Sequence, residues 1–166
     1  MSSSDIAIAT ATAAAPAQTD LSGDIVKLET KDKDIVAVPV ETLKLSKTLT
    51  DLLEDAADDI YKGTSIPLHS IRTVILKGII EYLNHHNEFP SEHIEYANKG
   101  LDEIAEWDVA FCEKMNNNVL FETILASNYL NIESLLKLTC KIVARKIKGK
   151  KADEIREILK LEPETA

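Results

Sequence analysis

Few residues of this sequence belong to the types that mark disulfide-stabilised or glycine-loop proteins. Its 166 residues include 2 cysteines, 5 glycines and 5 prolines. The two cysteines, Cys112 and Cys140, are too few for a disulfide scaffold and lack the spacing of a paired-cysteine zinc site. We therefore expect both thiols to be reduced, as in cytosolic or nuclear proteins, and to serve packing.

Long apolar runs and an excess of positive charge are also lacking. Apolar runs such as residues 74–76 are far too short to span a bilayer. The formal net charge of −9 disfavours nucleic acid as a partner, because binding to phosphates requires cations, and it would repel an anionic membrane. The sequence therefore predicts neither nucleic acid nor membrane as a partner.

The first 23 residues are dominated by Ala, Ser and Thr. Asp5 stands where a signal peptide would carry a positive charge. The segment has too few large apolar residues to offset the entropy of ordering it. We therefore predict a disordered N-terminal tail over residues 1–23.

Motifs of enzymes and metal sites are absent as well. The sequence contains no glycine-rich phosphate loop, no GxSxG and no HExxH. His85 and His86 are adjacent on a predicted helix, point about 100° apart and cannot readily bind one metal, so we interpret them as cations near the negative helix end. A nucleophilic pair of Cys112 or Cys140 with either histidine stays open, because such partners meet only in space. We expect a binding module with no catalytic residue, metal or cofactor.

The residues that are present predict a small β part first. In residues 24–40, Val26 and Leu28 alternate with charged residues, and after a polar break alternation resumes at Val36, Val38 and Val40. This pattern indicates a hairpin, in which Pro39 places the second strand at an edge or at its end. The segment SIPL, residues 65–68, is a further extended piece.

A helical period begins near Leu43 and recurs to the end of the chain. The first stripe consists of Leu45, Leu49, Leu52 and Leu53. Ser70 is a candidate N-cap for a second helix, whose predicted apolar face comprises Ile71, Val74, Ile75, Ile79 and Tyr82. Residues 87–106 are acidic and aperiodic and predict an exposed loop.

Three further helices are predicted after that loop. Trp107 and Phe111, one turn apart, would anchor a short helix to the core. Asn118 is a candidate cap for the next one, and Gly149 a C-terminal capping residue for the helix that starts near Ile132. The apolar residues of this last helix are too widely spread for one narrow seam; they are Leu135, Leu136, Cys140, Val143, Ala144 and Ile147. Residues 151–161 predict a final short helix.

The chain resembles the S-phase kinase-associated protein 1 family, the adaptors of SCF-type ubiquitin ligases, which are related to elongin C. The resemblance rests on DIVKLETKDKDIVAVPVE, ILKGIIEYLNHH, WDVAF and LFETILASNYLNIESLLKLTCKIVARKIKGK, in the order of the family. It implies an α+β BTB/POZ fold over residues 24–130, with a small N-terminal sheet. Residues 131–166 would be a C-terminal helical extension that binds an F-box and is truncated relative to the family.

The resemblance also implies partners and the residues that contact them. The family bridges a cullin scaffold and F-box proteins in the ubiquitin-conjugation pathway, in cytoplasm and nucleus. Its cullin contact maps to Asn128 and Tyr129. Its F-box surface maps to Phe121, Leu136, Cys140, Val143, Ile147 and Ile155. One face of the helix from Ile132 would then pack on the core, while the other would receive an F-box helix.

An alternative interpretation is a structural BTB protein that forms a homodimer when unpartnered and binds partners other than F-box proteins through its helical face. The sequence departs from the family pattern near its C-terminal end. Family members usually carry one more helix, which contains a tryptophan, and this sequence lacks that helix. In addition, Lys151 and Ala152 replace the Thr and Pro that usually start the last-but-one helix, so we expect a looser helix start, by about 1 kcal/mol.

Overall fold

The computed structural model describes residues 25–55, 64–90, 100 and 102–160. Within this part of the chain, three strands come first and helices dominate afterwards. In order, the elements are β1 (Ile25–Thr30), β2 (Ile35–Pro39), a 3₁₀ helix (Val40–Leu45), α1 (Lys47–Asp55), β3 (Ser65–Leu68), α2 (Thr73–Glu88), α3 (Glu106–Glu113), α4 (Asn117–Tyr129), α5 (Glu133–Ile147) and α6 (Ala152–Leu159).

The sheet has the strand order β2-β1-β3. β2 pairs antiparallel with β1, as the predicted hairpin requires, and β3 pairs parallel with it, so that Leu28 faces Val36 on one side and Ile66 on the other. Pro39 is the last residue of the edge strand β2, where its missing N–H costs no ladder bond. The hairpin and the position of its proline are confirmed.

The hairpin turn caps helix α2, which corrects the sequence prediction. The helix begins at Thr73, and its first backbone N–H donates to Asp32 Oδ2 at 2.7 Å. The Thr73 hydroxyl donates to Asp34 Oδ2 at 2.7 Å. The prediction of Ser70 as N-cap is wrong, because Arg72 is the N-cap residue and the carboxylate of Asp32, from a distant part of the chain, accepts the first backbone N–H.

The core joins the inner face of the sheet to α1, α2, α4 and α5. Its largest fully buried side chains include Tyr82, Leu28, Leu43, Leu49, Leu68, Ile71, Ile75, Leu76, Ile79, Leu83 and Leu120. Two residues assigned to inward stripes, Leu52 and Val74, are exposed instead. Each lies next to buried residues of its own helix, so the buried stripes of α1 and α2 are narrower than the apolar pattern predicts.

Aromatic rings connect α2 to α3. The rings of Trp107 and Phe111 stack at 5.1 Å, as expected for anchors of a short helix, and the ring of His85 stacks on Trp107 at 3.7 Å. His86 is buried and its Nε2 lies 2.9 Å from Asp108 Oδ1. Both histidines lie in the last turn of α2, as the sequence predicts, and His86 lies in the core beside a carboxyl group rather than at the surface.

The remaining helix ends follow local capping rules. The side chain of Asn116, rather than that of Asn118, caps α4 by accepting from the backbone N–H of Val119 at 2.9 Å. Gly149 follows α5 with φ +72°, the left-handed conformation that glycine adopts without strain. At the start of α6, the Glu154 carboxylate accepts from the Lys151 backbone N–H at 2.8 Å, which compensates in part for the missing capping side chain.

The predicted tail over residues 1–23 lies outside the described residues, and so do residues 91–99 and 101 of the predicted acidic loop. α2 extends through Glu88 and α3 begins at Glu106, both inside the bounds predicted for that loop. None of the described helices is long and apolar enough to cross a membrane.

Candidate protein-interaction surfaces

Helix α5 carries two apolar faces, which explains its wide apolar spread. The inner face consists of Leu135, Leu138, Thr139 and Ile142, and all four residues are buried. They recur at steps of three, one and three residues, so they share one side of the helix. This side packs mainly against α4 and also against α3. The remaining apolar residues of α5 lie on another face of the helix.

The outer face of α5 is an apolar stripe that no other described element buries fully. We call the α5 stripe the residues Leu136, Cys140, Val143 and Ile147, spaced by four, three and four residues. Cys140 is exposed and the other three are half-buried. Val143 also packs partly against the core. The stripe thus presents four predicted F-box residues along one line of the helix.

The last two predicted F-box residues flank the stripe on α4 and α6, and a polar contact joins the three helices. Asn117 Oδ1 accepts from Lys146 Nζ at 3.0 Å, and its Nδ2 donates to the backbone carbonyl of Ile158. Phe121 lies four residues after Asn117, and Ile155 three before Ile158, so each shares a helix side with a bonded residue. Both side chains are half-buried, and α6 contains no fully buried residue.

A second surface lies at the C-terminal end of α4. Asn128 is exposed and Tyr129 is 50% exposed. Leu125 lies one turn earlier on the same helix side and is 70% exposed. Leu125 was not identified from the sequence as a residue of this surface. Its position four residues before Tyr129 indicates that the two side chains lie on the same side of the helix. A shallow cleft of about 130 Å³ adjoins these side chains and is lined by Ser70, Ile71, Glu122, Leu125, Ala126 and Tyr129.

An ion pair borders this cleft. Arg72 donates from Nε and Nη2 to the two carboxylate oxygens of Glu122, each at 2.7 Å. The hydrogen bonds and charge of Glu122 raise the pKa of the Arg72 guanidinium. The two side chains are each 39% exposed. The pair therefore fixes the positions of these two side chains at the edge of the cleft and adds little to the stability of the fold.

The chemistry of the thiols fits packing better than catalysis. Cys112 is buried, and burial together with the nearby Asp108 raises its pKa to about 12. A nucleophilic cysteine needs the opposite shift, towards a thiolate at neutral pH. Cys140 is exposed on the α5 stripe. Within residues 25–55, 64–90, 100 and 102–160, no group of three or more His, Cys, Asp or Glu side chains could hold a metal ion.

Comparison with known proteins covers both the sheet part and the helical end of the chain. Residues 24–88 match the tetramerisation domain of the Skp1 family, and residues 133–165 match its dimerisation domain. A Skp1-related protein of Caenorhabditis elegans is 42% identical over 136 residues, which cover 79% of this chain and 77% of the relative. Two SCF ubiquitin ligase complex proteins of Dictyostelium discoideum, SKP1a and SKP1b, are each 37% identical over 139 residues, covering 82% of this chain and 83% of theirs.

These matches agree with the small mixed sheet and the helices that follow it, and they confirm the predicted α+β fold of the BTB/POZ type. They span the described sheet, the helix α2, the helix α5 that carries the stripe, and α6. With 42% and 37% identity over most of both chains, the chain belongs to the Skp1 family.

Proposed function

We propose that this chain is a non-catalytic adaptor of an SCF-type cullin-RING ubiquitin ligase, which bridges a cullin to F-box substrate receptors. The family membership and the name of the Dictyostelium relatives, SCF ubiquitin ligase complex proteins, support an adaptor role. The observation that carries the proposal is the division of α5 into a buried inner face and an apolar outer stripe. Such an adaptor would work in the cytoplasm and the nucleus, where cullins meet their receptors.

The proposed F-box surface consists of the α5 stripe with Phe121 and Ile155. Burying one such side chain fully contributes on the order of 1.5–3 kcal/mol, so a partner that covers several of them gains substantial affinity. Binding costs several kcal/mol in lost motion, which this burial exceeds. An amphipathic helix is the partner that suits a stripe of helical spacing.

The proposed cullin surface is the exposed pair Asn128 and Tyr129. Tyr129 lies eight residues, about two helical turns, after Phe121 on α4, so the two partners would not compete for the same residues. Tyr129 offers a large ring with a polar end, which is a common anchor in protein interfaces. The Arg72–Glu122 pair and Leu125 would lie at the edge of this contact.

Light scattering after size exclusion, on a mixture of the purified chain, a cullin N-terminal domain and an F-box segment, tests this function. The expected result is one complex with one copy of each component. Cullin binding without F-box capture would contradict the bridging role and indicate that the stripe serves another partner. A chain that binds neither and forms a concentration-independent dimer would overturn the adaptor proposal in favour of a self-associating scaffold.

A further inference from the structure

The end of α4 and the start of α1 meet head to tail directly behind Tyr129. The backbone N–H groups of Thr48 and Lys47 donate to the carbonyls of Leu130 and Asn131, each at 3.4 Å. The Thr48 hydroxyl donates to the carbonyl of Tyr129 itself at 3.1 Å. Three successive carbonyls at the end of α4 therefore accept from the first turn of α1.

This junction satisfies groups that both helices would otherwise leave unpaired. The first N–H groups and the last carbonyls of a helix have no partners inside it. Here the two sets pair with each other across more than 80 residues of sequence. The opposite dipole charges of the two helix ends also face each other, which favours the same arrangement.

The hydroxyl of Ser46 fixes the centre of the junction. It donates to the Leu130 carbonyl at 2.7 Å and accepts from the backbone N–H of Leu49 at 3.3 Å, so that one buried group caps α1 and holds α4. Asn131, which follows, has φ +51°, an uncommon conformation for a residue with a side chain. The path of the chain after Tyr129 therefore depends on contacts from α1.

We propose that Thr48 is a positioning residue for the cullin surface, acting through its hydrogen bond to the Tyr129 carbonyl; this inference rests on the proposed function. Ser46 is buried and its loss would destabilise the core. Thr48 is only half-buried and bonds the same helix junction from its solvent-exposed side. Without this bond, the segment at the end of α4 (residues 129–131) occupies its binding geometry for a smaller fraction of the time. The apparent cullin affinity falls in proportion to that populated fraction.

The experiment compares Thr48→Val, which keeps the branched shape but removes the donor, with Thr48→Ser, which keeps the donor. Binding of a cullin N-terminal domain and of an F-box segment is measured separately for each variant by calorimetry. We expect Thr48→Val to weaken cullin binding about three- to tenfold, the range that corresponds to one net hydrogen bond. Thr48→Ser should bind within about twofold of the wild type, and F-box affinity should be unchanged in both.

A matched control is Thr50→Val, since the Thr50 hydroxyl bonds the Ser46 carbonyl within the start of its own helix at 2.9 Å. It removes a hydroxyl from the same turn of α1 without touching Tyr129, and cullin binding should not change. Amide hydrogen exchange of Leu130 and Asn131 in the free chain provides an independent readout. It should accelerate in Thr48→Val only, which a contact made solely to the bound cullin would not cause.

The outcomes separate this inference from the function beneath it. If the wild-type chain binds no cullin, the proposed function fails. If the wild type binds and Thr48→Val binds equally well, the positioning role of Thr48 is wrong while the adaptor function stands. If Thr48→Ser weakens binding and Thr48→Val does not, the methyl group contacts cullin directly and the positioning proposal is overturned.

Discussion

His86 and Asp108 form a buried polar pair that ties α2 to α3. His86 Nε2 lies 2.9 Å from Asp108 Oδ1, and the two side chains are 1% and 0% exposed. Polar groups so far from water are costly unless they hydrogen-bond each other. The pair lies among the rings of Tyr82, Trp107 and Phe111, so its two members hold the aromatic cluster in one arrangement.

We predict that Asp108→Ala lowers the free energy of unfolding by about 1–3 kcal/mol, because it leaves the buried imidazole without this hydrogen-bond partner. Urea denaturation followed by far-UV circular dichroism measures the change. Glu122→Ala is the matched control, since it breaks a half-exposed ion pair with Arg72 and should cost no more than about 1 kcal/mol. Equal losses in the two variants would contradict the structural importance of the buried pair.

We predict that stability decreases above pH 9 in a manner that depends on Cys112. Burial first, and Asp108 second, raise its pKa from 9.0 to about 12. Between these values the unfolded thiol ionises while the folded thiol stays protonated, so the unfolded chain binds fewer protons. The free energy of unfolding should then fall by up to about 1.4 kcal/mol per pH unit, with the full contribution of Cys112 present only below pH 9.

The control for this pH dependence is a second cysteine variant. Urea denaturation between pH 8 and 10 should show a shallower decline for Cys112→Ala than for the wild type, whereas Cys140→Ala should keep the wild-type slope because that thiol is exposed. The window ends at pH 10 because burial also raises the pKa of Tyr82 above its ordinary 10.0. An unchanged slope in Cys112→Ala would refute the assignment.

We predict that Tyr129→Ala weakens cullin binding by about 30-fold and spares F-box binding. The ring is half exposed, and an aromatic anchor at the centre of an interface contributes about 2 kcal/mol or more. Calorimetric titration with each partner measures the two affinities. Val74→Ala on α2, another exposed apolar residue, serves as a control for unspecific loss of apolar surface. Loss of both partners in Tyr129→Ala would mean that the two surfaces are not separate.

We predict the reverse selectivity for Val143→Asp, which should weaken F-box binding at least 30-fold and leave cullin binding intact. A carboxylate in the middle of the α5 stripe would be buried without a partner when an apolar helix covers it. The control is Arg145→Gln, which changes the charge by the same amount two residues later. Its exposed side chain points about 200° away from Val143, so F-box affinity should hold. Circular dichroism must show that both variants are folded.

The parts of the fold that the sequence predicts well are those governed by neighbouring residues. The alternation of Val26 and Leu28 indicates a strand because one face of the sheet is buried, and burial repeats every second residue. The two sets of apolar positions on α5 likewise follow from helical spacing, and Leu135 and Leu136 lie on different faces as that spacing requires. Gly149 marks a helix end for an equally local reason.

The failures concern contacts between distant residues. Ser70 has a suitable side chain for a cap, but Asp32 reaches Thr73 first because the hairpin turn packs against the helix start. Asn118 is the last of three consecutive asparagines, whose local signals cannot tell which of them caps α4. The pairing of His86 with Asp108 and the junction of Ser46 with Leu130 depend on the assembled fold, and no periodicity encodes either of them.

Helix α4 carries residues of both proposed surfaces, so its length determines the distance between them. Phe121 and Tyr129 are eight residues apart on one uninterrupted helix, so their α-carbons are separated by about 12 Å along its axis. A continuous helix resists bending, so two proteins bound at the two proposed surfaces would keep a fixed orientation relative to each other. A single inserted residue between them would turn one partner by about 100° relative to the other. In the proposed adaptor, the length of α4 would therefore set both the distance and the angle between a receptor and the cullin.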